Sequence, residues 1–379
     1  MTRLSHSHPQ QKKLARPQAG LSLIELLIGL LIGLVATLAI TNLFSGFEAR
    51  KRVISGGADA QSSGVLALYY LQRDAQNAGF GLPMYNSSDP SPMRCALNTS
   101  INQAGVLINL SPLVIVEGGA SNDIVRIRYG NPSSGGASVR ATGNMTNPAL
   151  VGQLIGCQVN DIVLFHQSQV APNCSLARIQ RLNADRTINA LVELNTAPTA
   201  NPVTNLNGVD WVKFSCLGAW NQYEYSVNDA QELTRTGGTA SSAPFPNSVA
   251  VPVASDIVSL QAQYGIATTL DSEGLLLNRV DQWTDASGNY GPGITLEARN
   301  SIRAIRIAVV ARDGNLQKAA VSQQCTGNAP GLNKVCIWKT DATPANVNLN
   351  QIANWDRYRY RTYEITVPLR NLLWNRDAL

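Results

Sequence analysis

Histidine is scarce in this 379-residue chain, which contains only three. His6 and His8 fall within the first 20 residues, so His166 is the only histidine in the rest of the sequence. This scarcity excludes a multi-histidine metal centre there. The chain also lacks a Gly-x-Ser-x-Gly motif, a phosphate-binding glycine loop, a His-Glu-x-x-His motif and a Cys-x-x-Cys pair. We therefore predict that the protein is not an enzyme and has no catalytic residue, cofactor or metal ion.

Two less favoured alternatives to this prediction stay open, a catalytic histidine and a calcium site. His166 ends the strand-like segment 161–166, where a structural histidine is favoured over a catalytic one. An acidic stretch consists of Asp271, Glu273, Asp281 and Asp285. Its spacing does not match an EF-hand loop, and Arg279 lies within it. A calcium site in this stretch is therefore the less favoured interpretation.

Charged residues are absent from Leu26 to Phe47, a run of 22 positions. A helix of that length is about 33 Å long, enough to cross a bilayer core of about 30 Å. A buried helix of a soluble protein is the alternative, but such helices seldom stay uncharged for so long. We predict a single transmembrane segment over about 26–47.

Acidic residues are absent from the first 20 positions, which contain four cations. These are Arg3, Lys12, Lys13 and Arg16. Without them the formal net charge falls from +5 to +1 (+5 − 4). Because most of the positive excess belongs to this leader, we predict no nucleic-acid partner.

A glycine stands in front of the apolar region rather than behind it. Gly20-Leu21-Ser22-Leu23-Ile24-Glu25 places one acid at the fifth position after this glycine. A secretory signal peptide has its cleavage site after the apolar core, so cleavage at this glycine would leave that core on the mature chain. The hexapeptide resembles the processing site of type IV prepilins and type II secretion pseudopilins.

This resemblance implies roles for three residues. A prepilin peptidase would cut after Gly20 and methylate the new terminal amine of Leu21, and Glu25 would pair with the N-terminal ammonium of a neighbouring subunit. A carboxylate in an apolar segment is costly and tends to mark function, although an interfacial Glu without a partner is the alternative.

The apolar run also contains a Gly-x-x-x-Gly spacing, formed by Gly29 and Gly33. This spacing permits close packing of helices but often arises by chance.

Six cysteines follow the apolar run, namely Cys95, Cys157, Cys174, Cys216, Cys325 and Cys336. Their even number fits disulfides in an oxidising compartment. Short separations favour one bond between Cys325 and Cys336 and one between Cys157 and Cys174. Cys95 and Cys216 then remain for the third bond. Free buried cysteines are the alternative.

The helix is predicted to continue past the membrane. An apolar stripe at helical spacing consists of Leu68, Leu71, Ala75 and Ala78. Gly79, Gly81 and Pro83 then predict the end of the helix. These signals divide the chain into a leader peptide at 1–20, a helix region at 21–82 and a head at 83–379.

The sequence of the head, residues 83–379, predicts short strands joined by loops. Strand candidates are 122–129, 159–166, 176–181, 188–194, 209–216, 222–227, 256–264, 302–311 and 358–368. Loops rich in Gly, Ser, Asn and Pro are predicted at 131–148, 196–208 and 236–248. The strands lie too close together for crossover helices, which favours antiparallel pairing. We predict an α+β fold that is pilin-like, with a long N-terminal helix packed on a large antiparallel β-rich head of one or two lobes.

Three segments resemble PilW-type minor pilins, and they occur in the family's order along the chain. They are residues 71–80, 301–312 and 358–371. The resemblance implies a minor pilin that primes type IV pilus assembly and is incorporated at or near the pilus tip. A large J-like minor pseudopilin of a type II secretion system is the alternative.

The same resemblance implies partners and a location. The partners would be other minor pilins, the major pilin, the prepilin peptidase, the pilus assembly platform and a large tip adhesin. The chain would first lie in the bacterial inner membrane with its head in the periplasm, and then in the pilus at the cell surface.

The last predicted strand carries a row of cations on one face, formed by Arg357, Arg359 and Arg361. We expect this row to be solvated or to face a protein partner.

Overall fold

The structure is a computed structural model that describes the chain between residues 20 and 373 with gaps. The described residues are 20, 22–82, 100–103, 106–109, 111–142, 149–154, 156–167, 174–184, 190–194, 212–239, 249–272, 274–292, 294–325, 333–341 and 344–373. The chain divides into two compact units, Met1–Ser55 and Gly56–Leu379.

Helix α1 spans Leu23–Asn77 and contributes to both units. In the first unit its large apolar side chains are exposed, as at Leu31 and Phe44, which are both 67% exposed. Among the described residues, α1 is the one helix long and apolar enough to cross a membrane. By length and composition it can serve as a membrane anchor.

Short strands make up most of the described head. They are β1 Ser100–Gln103, β2 Val106–Asn109, β3 Leu113–Val116, β4 Ile124–Tyr129, β5 Ser138–Thr142, β6 Ala149–Val151, β7 Ile162–Gln167, β8 Cys174–Ala184, β9 Ala190–Leu194, β10 Val212–Gly218, β11 Asn221–Val227, β12 Leu233–Thr239, β13 Val251–Ala254, β14 Ile257–Ile266, β15 Gln282–Thr284, β16 Ile302–Arg312, β17 Gln323–Gln324, β18 Lys334–Ile337, β19 Ala345–Asn346 and β20 Tyr360–Pro368. Two short helices, α2 Leu296–Ser301 and α3 Arg370–Leu373, precede β16 and follow β20.

The strands form one closed barrel and several open sheets. The barrel has the order β10-β5-β6-β9-β8-β7, and the two larger open sheets have the orders β13-β12-β11-β4-β3 and β15-β14-β16-β20. Two small sheets have the orders β1-β2 and β17-β18-β19. Of the strand pairs in the described residues, β17 with β18 is parallel and the others are antiparallel. The predicted α+β fold with an antiparallel β-rich head is thereby confirmed.

The second half of α1 packs into the core of the head. Its buried side includes Ala60, Gly64, Ala67, Leu71 and Ala75, which recur every three or four residues, and the buried Ala78 follows directly after the helix. These side chains share one core with the inward faces of the two larger open sheets, as at Val125 and Ile307. The predicted stripe is confirmed at its three buried positions, while Leu68 lies at the margin of the core. The barrel has a separate core around Phe165 and Phe214.

Strand β16 is central to its sheet and is buried on both faces. Ile305, Ile307 and Val309 join the core under α1. Ala308 and Val310 point the other way, into a second cluster with Val335 and Ile337 of β18. This alternation explains why the segment reads as a nearly continuous apolar run, and it places β18 over the outer face of the sheet.

One predicted loop is wrong in part. Within residues 131–148, Ser138–Thr142 forms β5, which pairs with β10 and β6 in the barrel. This strand depends on partners distant in sequence, so local composition did not reveal it. The predicted loop at 236–248 likewise begins inside β12, while the predicted loop at 196–208 lies outside the described residues.

The disulfides confirm one predicted pair and correct the others. Cys325 is bonded to Cys336, as predicted, with Cα atoms 5.1 Å apart. Cys157 is bonded to Cys216, with Cα atoms 5.8 Å apart. The predicted Cys157–Cys174 and Cys95–Cys216 bonds are therefore wrong. Cys95 itself lies outside the described residues.

Strand pairing explains the correction. Cys174 begins β8 opposite His166, near the end of β7. Cys157 precedes the start of β7 at Ile162, so the two cysteines lie towards opposite ends of that strand. Four strand residues span about 13 Å, beyond the Cα separation of about 7 Å that a disulfide can bridge. Strand β10 instead runs antiparallel to β7 and carries Cys216 back to the β7 start.

Candidate functional site

The N-terminus of α1 carries a reciprocal capping arrangement. The backbone N–H of Ile24 donates to Ser22 Oγ at 3.4 Å, and the backbone N–H of Ser22 donates to Glu25 Oε2 at 3.1 Å. This is a capping box, in which two otherwise unpaired backbone donors are satisfied by side chains. Sequence reasoning missed it, although the Ser-x-x-Glu spacing was the signal. Gly20 is exposed, and Leu21 lies outside the described residues.

Gly29 and Gly33 lie on the exposed apolar part of α1. A Cβ added at either position would have no neighbouring atom within 4 Å. Nothing in the described part of this single chain therefore uses their lack of a side chain. Their predicted role in helix packing stays a prediction, and it concerns a second helix.

Asp74 fixes the other end of α1 to the head. It is completely buried, and its Oδ2 accepts hydrogen bonds from the Tyr225 hydroxyl at 2.6 Å and from Arg235 Nε at 2.9 Å. Its Oδ1 lies 3.2 Å from Arg73 Nε and 3.4 Å from the Tyr129 hydroxyl. One carboxylate thus connects the helix to strands β4, β11 and β12.

Arg235 is held on both sides of its guanidinium. The guanidinium carbon lies 3.4 Å from the centre of the Tyr223 ring, while Nη2 lies 2.7 Å from Asp74 Oδ2. Burial would lower the pKa of Arg235, but the neighbouring Tyr225 and the Asp74 charge outweigh it and raise that pKa. Burial and the Asp74 charge raise the pKa of Tyr225, so its hydroxyl stays protonated and donates. A buried ion pair of this kind is costly to break.

Sequence reasoning missed Asp74 as well. The residue falls in the family-like segment 71–80, but no role was assigned to it. The signal was an acid between two positions of the apolar stripe, Leu71 and Ala75. Buried charges need partners, so this pattern predicts a partner without identifying it.

Backbone groups at the C-terminal end of α1 form hydrogen bonds with residues of the head. Gly79 has a positive φ of 76°, the left-handed conformation that commonly ends a helix, and its N–H donates to the carbonyl of Arg128. Asn371 Nδ2 donates to the carbonyls of Gln76 and Ala78 at 3.3 and 3.2 Å. The predicted stop at Gly79 is confirmed, and Pro83 lies outside the described residues.

Two glycines let the head approach α1 closely. A Cβ at Gly64 would clash with the Tyr363 ring of β20. A Cβ at Gly56 would clash with Asp313, which follows β16. The missing side chains therefore allow the last strands to lie directly on the helix backbone.

The acidic stretch does not form a metal site in the part of the chain that is described. Asp281 accepts backbone N–H groups from Thr268 and Thr269, which hold its pKa below the usual range. Asp285 accepts from Gln263, and Asp271 accepts from the N–H of Leu275. Glu273 lies outside the described residues.

The arginine row is only partly as predicted. Arg359 and Arg361 are exposed. Arg357 belongs to a 3₁₀ turn before β20, and its Nε donates to the carbonyl of Gln317 at 2.7 Å. The row is therefore two exposed cations near the start of the strand.

A comparison with protein-family models agrees with the sequence resemblance. Residues 199–371 match the family model of Type IV Pilus-assembly protein W. No curated protein matches the chain significantly. The chain is similar to a type IV-like pilin from Thermus thermophilus, with 13% identity, coverage of 83% of this chain and 97% of the other, and a TM-score of 0.32. A TM-score that low carries no argument. The similarity to the family of type IV pilus-assembly protein W therefore covers residues 199–371, which is less than half of the chain.

Proposed function

We propose that the chain is a minor pilin that primes type IV pilus assembly and is incorporated at or near the pilus tip with other minor pilins. Helix α1 is the observation that carries this proposal. Its first part is an exposed apolar segment behind the Gly20 and Glu25 motif, and its last part belongs to the core of the head. The family match over 199–371 supports the coarser statement that this is a pilus-related minor pilin.

In this proposal a prepilin peptidase cuts after Gly20 and methylates Leu21. The mature chain is held in the inner membrane by α1, with its head in the periplasm. The assembly platform then extracts it, and the head meets other minor pilins, the major pilin and a tip adhesin. The buried ion pair between Asp74 and Arg235 transmits a force on the second half of α1 to the head, because that part of the helix cannot separate from the head without breaking the pair.

Glu25 has two candidate roles that differ in chemistry. As an assembly residue, it neutralises the N-terminal ammonium of a neighbouring subunit, which requires a negative charge. As a capping residue, it accepts the N–H of Ser22, which requires only an acceptor oxygen. We propose the first role, with the capping box as a second use of the same side chain.

Three variants separate these roles in a strain whose piliation requires this subunit. Glu25→Ala removes charge and acceptor, Glu25→Gln removes the charge alone, and Ser22→Ala removes the reciprocal cap. We expect both Glu25 variants to lose surface pili and cross-linking to partner pilins, and Ser22→Ala to retain them. The mass of the mature chain should show cleavage after Gly20 in all three, so that failed processing does not explain the loss.

The decisive comparison is between Glu25→Gln and Ser22→Ala. Normal piliation by Glu25→Gln would mean that the charge is not needed and that helix capping accounts for the residue. The subunit would then be recruited through its head alone.

A large J-like minor pseudopilin of a type II secretion system is the second candidate, since such proteins share the processing motif and a β-rich head. Deletion of the gene distinguishes the two. Loss of surface pili with normal secretion of exoproteins supports the pilin. Loss of secretion with normal pili assigns the chain to the secretion system.

A further inference from the structure

Strand β20 lies at the edge of its sheet. The order β15-β14-β16-β20 pairs one side of β20 with β16 and leaves the other side without a strand partner in the described part of the chain. The strand is nine residues long, Tyr360–Pro368. An unpaired edge of that length is a template for pairing with another chain. The free side of β20 is therefore a candidate binding surface.

Hydrogen bonds at the two ends of β20 show which residues face this free side. The N–H of Leu369 donates to the carbonyl of Arg303, and the N–H of Asp313 donates to the carbonyl of Arg359. In an antiparallel pair such bonds recur at every second residue, so the odd-numbered residues of β20 bond to β16. The N–H and C=O groups of three even-numbered residues therefore point to the free side, namely Thr362, Glu364 and Thr366. No backbone hydrogen bond outside the strands involves them among the described residues.

Helix α1 runs along β20. A Cβ at Gly57 would meet Arg361, and a Cβ at Gly64 would meet Tyr363. Both contacts are on the odd-numbered face of the strand, which is therefore turned towards the helix. The residue numbers rise together along the two elements, so they run in the same direction. The free side of β20 consequently lies alongside α1.

The apolar surface of α1 continues past β20. Gly56 lies against Asp313, which follows β16. Measured from Gly56 around a helix of 3.6 residues per turn, Gly64 lies at about 80°, Leu68 at about 120° and Val65 at about 180°. The order leads from β16 across β20 to the free side. Leu68 lies at the margin of the core and Val65 is 55% exposed, so a further strand beside β20 would cover both.

We propose that an extended segment of another pilus subunit adds to β20 as a strand beneath α1. The inference rests on the proposed function, in which this chain assembles with other pilins. Addition of a peptide strand to a sheet edge is a recurring mode of recognition, in which the main-chain hydrogen bonds supply affinity. The outward N–H and C=O groups of β20 would form these bonds with the segment.

The surroundings of the edge define the chemistry of this segment. Its side chains would alternate between the two faces, with apolar ones towards Leu68 and Val65. Glu364 lies on the opposite face, is exposed and stands across from Ala308 of β16. A cation of the segment fits beside Glu364, because opposite charges on neighbouring strands stabilise a pair.

Photo-crosslinking in cells tests the pairing. A photoreactive phenylalanine analogue is placed at Thr362 or at Thr366 of the full chain, in a strain whose piliation requires this subunit. We expect both positions to cross-link to one segment of another subunit that carries a prepilin processing motif. The two positions are four residues apart, so the cross-linked partner residues should also be about four residues apart. Scattered partner residues, cross-links only within this chain or to lipid, or no cross-link would overturn the proposal.

Two matched pairs of variants complete the test, with the photoreactive residue at Thr362. Thr366→Pro removes an N–H on the free side, and Thr366→Ala retains it. Glu364→Lys reverses the charge on β20, and Glu297→Lys makes the same change at an exposed residue of α2. We expect the first member of each pair to lower the cross-link yield at least about threefold and the second to leave it nearly unchanged.

Thermal unfolding shows whether each variant is folded. If Thr366→Pro does not fold, the comparison of Glu364→Lys with Glu297→Lys decides. Equal yields from these two charge variants would overturn the edge as the binding surface.

The result can be separated from a failure of the proposed function. The mass of the mature chain and its recovery in sheared pili report on that function without any cross-link. A processed chain in normal pili that gives no cross-link at either position would overturn the strand addition alone. An unprocessed chain in cells with active peptidase would count against the proposed function, whichever cross-links form.

Discussion

Asp74 is a single buried charge on which we expect the stability of the head to depend. Asp74→Ala removes the counter-charge of Arg235, whose side chain is only 21% exposed, and the acceptor of the Tyr225 hydroxyl. We expect the free energy of unfolding to fall by about 3 kcal/mol or more. Urea unfolding of the full chain in detergent measures it. Arg73→Ala is the control, because Arg73 is 43% exposed and should cost less than about 1 kcal/mol. Equal losses would contradict the assigned anchor.

Asp123 predicts a pH dependence of unusual sign for an acid. It is almost fully buried, and burial raises its pKa to about 6, outweighing the N–H groups of Gly118 and Ala262 that donate to it. The folded state therefore binds a proton between the usual pKa of 3.8 and about 6. Its contribution to stability is present below pH about 4 and is lost as the pH rises through about 6.

The measurement is urea unfolding of the wild type and of Asp123→Asn at several values between pH 4 and 7. The stability difference between the two proteins should shift against the wild type by up to about 3 kcal/mol as the pH rises, since one pKa unit corresponds to about 1.4 kcal/mol. Parallel curves would show that Asp123 titrates normally.

Helix α1 illustrates what small residues do at the scale of an element. Gly→Ala in a helix interior normally stabilises by up to about 1 kcal/mol. We expect this gain for Gly57→Ala, where a Cβ meets only the flexible end of Arg361. Gly64→Ala should instead destabilise by about 1–3 kcal/mol, because the new methyl group clashes with the Tyr363 ring. Thermal unfolding of both variants gives the signs, and a gain at Gly64 would contradict the close approach of β20.

The helix and most long strands could be predicted because their signals are local. The uncharged run, the apolar stripe and the Gly79 stop all lie within one segment of chain. Pairing could not be predicted in the same way. Arg126 of β4 bonds to Glu224 of β11, which is 98 residues away. Short strands such as β5 exist only as part of the barrel, so their sequences carry little signal of their own.

The disulfides show the same limit at the scale of the whole molecule. The Cys325–Cys336 pair closes a separation of 11 residues and was predictable from sequence distance. The Cys157–Cys216 pair spans 59 residues and depends on how β7 meets β10. Non-reducing peptide mapping of the oxidised protein should find both pairs. A peptide linking Cys157 to Cys174 would contradict the barrel pairing.

The candidate site was predictable in its motif but not in its anchor. Gly20 and Glu25 are recognisable because processing acts on a contiguous stretch of sequence. The partners of Asp74 come from three strands, of which Arg235 is 161 residues away. The processing motif could therefore be recognised from the sequence alone. The contacts of Asp74 with the head could be identified only in the folded structure.

The central claim is that this chain is processed as a prepilin and enters a pilus. Mass spectrometry of pili sheared from cells and purified away from membranes tests it most directly. We expect a low-abundance peptide that begins at N-methylated Leu21, together with peptides from the head. Absence of the chain from pili, or an intact leader in cells with active peptidase, would contradict the account.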